Sequence, residues 1–346
     1  MSNYFVTNLG LTGGFLFYKY LRWELNLDKS FNKYNEAVMQ LHENNASKAL
    51  NLINHSMEIS TPLSNHFILK GMIKYQLGKY KSAIKNIEAG INLDNYALIT
   101  IHDRMQGFLH LGLSRVQLED YKNAIKDFYK ALDILENYKK DFRCRATKKE
   151  EIIIRNCIFL NLGATMHFLR NDKEAINNLE KIIDFDSAFE KDEREWAYAV
   201  RGSSFLNEGK FEDALNDFEK LIEINQTSEN FFNRGLANYS LVKYENAIKD
   251  FDKAVKLGKN DFEVFFKRGL SKFNLENYED AIHDMDYAIA IDICEESPLE
   301  IKGYSYYYLG DFYNARKNLE EVLKINPHNN EVREHLKLIK EEFHNS

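Results

Sequence analysis

The chain has 346 residues, of which 44% are hydrophobic and 29% charged, so it can bury a core beneath a solvated surface. Its formal net charge of −7 does not suit non-specific nucleic-acid binding, which needs a basic footprint. Cys144, Cys157 and Cys294 are far apart and odd in number, which argues against a disulfide framework or a zinc site. Scattered thiols of this kind favour a reducing, cytoplasmic setting.

Residues 1–29 precede any regular pattern, and we expect them to pack on the structure that follows or to lie loose. Within them, residues 4–21 read YFVTNLGLTGGFLFYKYL, an apolar stretch interrupted by polar residues and glycines. A spanning helix needs roughly 20 mainly apolar residues. A secretory signal needs a basic start and a small-residue cleavage site. The pattern disfavours both, although attachment to a membrane through residues 4–21 stays open.

A repeating pattern occupies the chain from residue 30 to residue 329. An alanine recurs at spacings of 34, 41, 51, 39, 33, 34 and 34 residues, so four of the seven spacings lie within one residue of 34. Twelve residues before each alanine stands a small residue, and four residues after it stands a bulky apolar one. An aromatic residue lies three residues before six of the eight alanines. The alanines are Ala49, Ala83, Ala124, Ala175, Ala214, Ala247, Ala281 and Ala315.

These columns of similar residues predict pairs of packed helices. Spacings of three and four place residues on one face of a helix. Each unit has two such faces, separated by a short break such as Gly78-Lys79 or Gly310-Asp311. The small residue and the alanine allow the two helices to approach, and we expect the aromatic and bulky residues to fill the space between hairpins. One hairpin cannot cover its own apolar face, so the units must stack.

With these residues in view, the sequence resembles the tetratricopeptide repeat family. The segment FFNRGLANYSLVKYENAIKDFDKAVKL at 231–257 carries the family pattern well, whereas only Pro327 occupies the family's proline position. The resemblance implies an all-α fold, a right-handed α-solenoid of eight helix–turn–helix hairpins. The expected repeats are 30–63, 64–97, 105–138, 156–189, 195–227, 228–261, 262–295 and 296–329.

The last segment, 330–346, is predicted to form a capping helix and tail. Val332, Leu336, Ile339 and Phe343 fall on one face of it, with charged residues opposite. A terminal helix with a polar outer face keeps a solenoid soluble.

Catalysis is not expected, because the chain outside the repeats is too short for a catalytic domain of at least about 50 residues. The sequence contains no HExxH, GxxxxGK[ST] or GxSxG motif. His102 and His110 could share a helical face, but two ligands do not make a metal site. We therefore predict no catalytic residues, no metal and no cofactor.

A basic cluster, KKDFRCRATKK at 139–149, lies in an insertion between the third and fourth repeats. It could dock an acidic partner, an anionic membrane or RNA, or it could be a solvated extension, which is the commoner case. An acidic run at Glu190, Asp192, Glu193 and Glu195 balances it.

The family resemblance implies that the first helix of each repeat lines a concave groove. Its groove-facing positions give an apolar, aromatic-rich set, which is typical of interaction sites. Family members that grip a C-terminal carboxylate use lysine, asparagine and arginine at these positions, and this chain matches none of them. The implied partner-binding residues are Trp196, Phe232, Leu236, Tyr239, Phe266, Leu270, Phe273, Tyr304, Tyr307 and Tyr308.

We therefore predict a non-enzymatic scaffold or adaptor that binds a protein or peptide with apolar anchors in this groove. The sequence disfavours chaperone tails held by a carboxylate clamp, and also nucleic acid. Two alternatives stay open: an RNA-associated helical-repeat protein that uses the 139–149 cluster, and a subunit of an enzyme complex.

Overall fold

The computed structural model describes residues 27–93, 101–138, 148–182, 191–292 and 295–345, and their regular structure is α-helical throughout. The apolar stretch 4–21 and residues 139–147 of the basic cluster lie outside the described residues, and so does Glu190 of the acidic run. No described helix is long and apolar enough to cross a membrane. The chain divides into two compact units, 1–200 and 201–346.

The first unit contains eight described helices and the start of a ninth. Neighbours in sequence pack as antiparallel pairs, α1 with α2, α3 with α4, α5 with α6 and α7 with α8. These helices are α1 (Leu27–His42), α2 (Ala46–Ile59), α3 (Ser64–Gln76), α4 (Tyr80–Asn92), α5 (Ile101–Val116), α6 (Tyr121–Tyr138), α7 (Lys148–Phe168) and α8 (Asp172–Leu179).

The boundary between the units falls within α9 (Lys191–Asn207), and the second unit continues with hairpins of similar length. The pairs are α11 with α12, α13 with α14 and α15 with α16, and a final helix packs on α16. These helices are α10 (Phe211–Ile224), α11 (Ser228–Ser240), α12 (Tyr244–Lys256), α13 (Phe262–Asn274), α14 (Tyr278–Ile291), α15 (Glu296–Tyr308), α16 (Phe312–Ile325) and α17 (Asn330–Asn345).

Each hairpin turns at one residue with a positive φ. Gly78, Gly209 and Gly310 hold this place where the sequence predicted a break, at φ values of 70°, 72° and 76°. Val242 holds it in the turn between α11 and α12 at φ 62°, a conformation that a β-branched residue adopts at a cost. The backbone N–H of Lys79 donates to the carbonyl of Lys74 at 2.9 Å, which closes the first helix of that pair.

The core of each hairpin is the contact between the small residue of the first helix and the bulky residue of the second. A Cβ built on Gly112 would lie 2.5 Å from the Phe128 ring, and one on Gly202 would lie 2.8 Å from the Phe218 ring. The bulky residue therefore packs within its own hairpin, and Phe251 also clusters with Val264 and Phe265 of the next hairpin. All eight recurring alanines and all eight bulky residues are fully buried.

A buried ion pair also recurs in the second unit, and sequence reasoning missed it. An arginine on the first helix of a hairpin reaches a buried aspartate sixteen residues later on the second, with Nη2–Oδ1 distances of 2.5 to 2.7 Å. The pairs are Arg201–Asp217, Arg234–Asp250 and Arg268–Asp284. The repetition of the sixteen-residue spacing was the available signal for it.

Candidate functional site

Nine of the ten predicted groove residues lie on three helices of the second unit. Each helix carries three of them, and α13 contacts both α11 and α15. The first helices of successive hairpins are thus neighbours, as stacking requires. The residues are Phe232, Leu236 and Tyr239 on α11, Phe266, Leu270 and Phe273 on α13, and Tyr304, Tyr307 and Tyr308 on α15.

These nine residues differ widely in exposure. Phe232 is only 2% exposed, and its ring lies 5.7 Å from that of Phe251 with the Lys259 ammonium 4.4 Å from its centroid. It therefore belongs to the core between α11 and α12. Tyr308 is 55% exposed, and most of the others are half-buried. The half-buried and exposed residues are the ones that could touch a partner.

Five of the nine come together around one pocket of about 390 Å³. Its walls come from α13, α15 and α17, so the final helix contributes to it as well as the hairpins. We call it the α13–α15–α17 pocket. Its lining residues are Phe266, Leu270, Phe273, Ser297, Glu300, Ile301, Tyr304, Tyr308, Glu331 and His335.

The polar groups of the α13–α15–α17 pocket include two carboxylates, Glu300 and Glu331, beside the imidazole of His335. The Tyr304 hydroxyl donates to Oε1 of Glu300 at 2.9 Å, and Nδ2 of Asn329 donates to its Oε2 at 3.5 Å. Burial, followed by the hydrogen bond and charge of Glu300 and the charge of Glu331, raises the pKa of Tyr304 far above its usual value. Burial and the two carboxylates therefore oppose the formation of negative charge on Tyr304.

Aromatic side chains line the turns beside this pocket. The rings of Tyr278 and Tyr308 stack with centroids 5.1 Å apart, and Phe273 lies 5.6 Å from Tyr278. The Tyr307 ring lies 5.7 Å from Phe312 and 6.0 Å from His335. Tyr307 thus packs on the hairpin turn and on α17, whereas Tyr308 faces the pocket.

Trp196, the tenth predicted residue, lies on α9 within the first unit. Its ring centroid is 6.4 Å from that of Phe168, which in turn stacks on Tyr121 at 5.7 Å. Phe168 is 39% exposed, so this is a second aromatic cluster with an accessible member. This cluster belongs to the first unit, whereas the pocket belongs to the second.

A serine–histidine contact lies in the first unit, at the junction of α1, α2 and α3. His66 Nε2 lies 3.2 Å from Ser56 Oγ, and its Nδ1 lies 3.0 Å from Asn65 Oδ1. Ser56 is fully buried, and burial lowers the pKa of His66 from 6.5 to about 4. Ser30 joins Ser56 through a further 3.0 Å contact. This arrangement is an enclosed hydrogen-bond network that joins three helices, and no substrate could reach its serine.

Metal binding has no candidate within the part of the chain that the structure describes. No group of three histidine, cysteine, aspartate or glutamate side chains there could hold an ion. Cys157 is a free, buried thiol on α7, and burial raises its pKa to about 12. A thiol with so high a pKa is a poor ligand and a poor nucleophile.

Stacked antiparallel hairpins with an aromatic-lined pocket between their first helices define the class as a helical-repeat protein. Family models described as tetratricopeptide repeat match residues 67–96, 106–138, 200–262 and 299–329. The chain is a tetratricopeptide repeat protein. As such it belongs to a class of protein–protein interaction scaffolds that are typically non-enzymatic.

Solved structures of similar proteins span only part of this chain. YrrB, described as a TPR protein with an unusual peptide-binding site, is 19% identical over 61% of this chain and 97% of its own, with a TM-score of 0.48. MamA from Desulfovibrio magneticus RS-1 is 16% identical over 51% of this chain and 97% of its own, with a TM-score of 0.45. MamA of MSR-1 is 20% identical over 50% and 98%, with a TM-score of 0.46. No curated protein matches this sequence.

Proposed function

We propose that this protein is a non-enzymatic scaffold or adaptor that binds a peptide or protein segment along α11, α13 and α15. The observation that carries the proposal is the α13–α15–α17 pocket, because five of the predicted groove residues line it. A pocket of about 390 Å³ is large enough to receive more than one side chain of a bound segment. Its aromatic and aliphatic lining favours recognition of a segment of chain over a small polar metabolite.

The lining supplies apolar contact area for such a segment. Phe266, Leu270, Phe273 and Ile301 line the pocket, and Tyr308 stands exposed at its edge. Burying one aromatic or aliphatic side chain of a partner against them would contribute about 2 kcal/mol. Tyrosine is also enriched at binding hot spots, because it offers a large surface at a small entropic cost.

The charge of the pocket argues against a carboxylate-terminated ligand. Glu300 and Glu331 both line it, and a bound C-terminal carboxylate would be repelled by them. The proposed partner therefore carries apolar anchors within its chain rather than at an acidic end. We propose that this binding takes place in the cytoplasm, in keeping with the free thiol of Cys157.

A capture experiment tests the groove. The variant Phe266→Glu with Tyr308→Glu places two charges in the pocket at half-buried and exposed positions, so the hairpins should remain folded. The matched control is Tyr129→Glu with Tyr313→Glu, which changes two exposed aromatics on second helices. Partners captured by the wild type and the control, and identified by mass spectrometry, should be lost with the groove variant. Retention of every partner by a folded groove variant would contradict the proposal.

A further inference from the structure

The α13–α15–α17 pocket differs in one respect from the part of the groove one repeat earlier, between α11 and α13. We call these two parts successive steps of the groove. Between α11 and α13, the chain places its own cation over the aromatic rings. The Lys267 ammonium lies 5.4 Å from the Tyr239 ring centroid and 6.0 Å from that of Phe266. Cations in such positions are attracted by the electron-rich faces of the rings.

One repeat later, 34 residues on, the aromatic residue is kept and the lysine is replaced. Tyr239 corresponds to Phe273, but Lys267 corresponds to Ile301, and both Phe273 and Ile301 line the pocket. Phe266 corresponds to Glu300, so a carboxylate has been added where the earlier step has a ring. The step between α11 and α13 thus contains a lysine among its aromatic rings. The equivalent place in the pocket has aromatic rings and a carboxylate, but no lysine.

The described residues that line the pocket include four phenylalanine or tyrosine side chains, two carboxylates and one imidazole, that of His335, whose ring lies 4.6 Å from that of Tyr304, and they include no lysine or arginine. Three cations on these helices have partners of their own, and Lys267, next to Phe266 on α13, lies beside the rings of Tyr239 and Phe266. Lys272 pairs with Asp284, Lys302 pairs with Asp286, and the Arg333 guanidinium donates to the carbonyl of Pro327. Glu300 is held by the hydroxyl of Tyr304 and the amide of Asn329, which are neutral donors. Its charge is therefore not neutralised by these two partners.

We propose that the α13–α15–α17 pocket binds a cationic side chain, arginine or lysine, of the partner segment, beside an apolar anchor. The cation lies among the aromatic rings between Glu300 and Glu331, in the place that Lys267 occupies one step earlier. The inference rests on the proposed function, since it takes the pocket as part of a peptide-binding groove. It adds the chemistry of the ligand: a basic and apolar motif that complements the acidic chain.

Two small probes separate charge from shape. N-acetyl-phenylalanyl-arginine amide carries the cation, and N-acetyl-phenylalanyl-citrulline amide is its neutral isostere. In calorimetric titrations of the full chain, the arginine probe should bind about tenfold more tightly than the citrulline probe. Equal affinities would overturn the inference, as would an absence of binding by either probe up to about 10 mM.

Variants assign the preference to the pocket. Glu300→Gln with Glu331→Gln keeps an acceptor for Tyr304 and should bring the two probes within about twofold of each other. Glu245→Gln with Glu279→Gln makes the same change of net charge at exposed positions on α12 and α14, and should preserve the preference. A loss of preference in both variants would show that net charge is responsible and would contradict a defined site.

Ile301→Lys offers the most direct test, because it restores the cation that the earlier step possesses. It should weaken binding of the arginine probe about tenfold, whereas Ile301→Met should leave it within about twofold. Unchanged binding of the arginine probe by a folded Ile301→Lys protein would contradict the proposal that this pocket binds the cation.

Two further outcomes distinguish this inference from the proposed function. If both probes bind equally and both are lost in the Phe266→Glu and Tyr308→Glu variant, the groove stands and the cation preference fails. If n-butylguanidinium alone binds as tightly as the arginine probe, the pocket serves a small cation and the assignment to a peptide side chain fails.

Discussion

Gly235 of α11 lies against the ring of Phe251 of α12, so closely that a Cβ on the glycine would be 2.6 Å from Cε1 of the ring. Phe251 is fully buried and belongs to a cluster that also contains Phe232, Ala247 and Val264. The ring cannot withdraw without displacing its neighbours, because protein interiors are close-packed. The close approach of α11 and α12 therefore depends on the absence of a side chain at Gly235.

Gly235→Ala should destabilise the protein by about 1–2 kcal/mol, because the cost of overpacking exceeds the gain in helix propensity. Gly107→Ala is the matched control, since its added Cβ would lie no closer than 3.3 Å to a flexible isoleucine end. Urea unfolding gives the free energy of unfolding of both variants for comparison with the wild type. In a Phe251→Ala background, Gly235→Ala should cost nothing or stabilise, and an undiminished cost there would contradict the steric explanation.

The contact between Gly235 and Phe251 also shows what the sequence could predict. The columns of small, alanine and bulky residues indicated paired helices, and the all-α repeat fold is confirmed. The columns did not reveal which surfaces meet, because a spacing of four places a residue on a helical face without naming the helix that it touches. For that reason the sequence did not predict the contact of Phe251 with Gly235 in its own hairpin, which exists alongside its packing with Val264 of the next hairpin.

The candidate site was predictable only in part, for a related reason. The family pattern concerns the first helix of each repeat, and it gave Phe266, Leu270 and Tyr308, which line the pocket. It could not give Glu331 and His335, because these lie on α17, outside the repeats. Nor does a groove-facing position in the family pattern determine how deeply its side chain is buried. Phe232 and Phe266 hold equivalent places 34 residues apart, yet Phe232 is buried and Phe266 half-buried.

The buried pair Arg234–Asp250 gives a second prediction. Asp250 accepts from Nη2 of Arg234 at 2.6 Å and from Nδ2 of Asn238 at 2.9 Å. Arg234→Met would leave a buried carboxylate without its counter-ion and should cost about 3 kcal/mol. Adding Asp250→Asn should recover much of this loss, because a neutral amide has no charge to desolvate. Hydrogen exchange of α11 and α12 measures the local opening free energy, and a double variant as unstable as Arg234→Met would contradict the ion-pair explanation.

A third prediction concerns pH. Burial lowers the pKa of His66 to about 4 in the folded chain, against an ordinary value of 6.5, so the unfolded state binds a proton first as the pH falls. The contribution of His66 to stability is complete above about pH 6.5 and is lost progressively towards about pH 4. At about pH 4.5 the contribution of His66 should be smaller by roughly 2–3 kcal/mol than at about pH 7.5, as the difference between wild type and a His66 variant in urea unfolding measures.

His66→Gln isolates this contribution, because it removes the titrating group while His110, whose pKa burial also lowers to about 4, remains. The variant should be less stable than the wild type at neutral pH and should show a smaller loss on acidification. His55→Gln on the neighbouring helix α2 is the control, since His55 is exposed. An equal pH dependence in wild type and His66→Gln would exclude His66 as a source of acid sensitivity.

The final helix gives a fourth prediction, because α17 both covers the last hairpin and supplies a wall of the pocket. Ile339 is fully buried in a cluster with Leu319 and Val322, whereas Leu338 beside it is 45% exposed. Ile339→Ala should destabilise α17 by roughly 2–4 kcal/mol, and Leu338→Ala should change its stability by no more than about 0.5 kcal/mol. Hydrogen exchange should locate the loss in α15 to α17 and leave α11 and α12 unchanged, since stacked repeats interact chiefly with their neighbours. An equal loss of protection in α11 and α12 would mean that the second unit opens as a whole, and α17 would then stabilise the entire unit rather than its end.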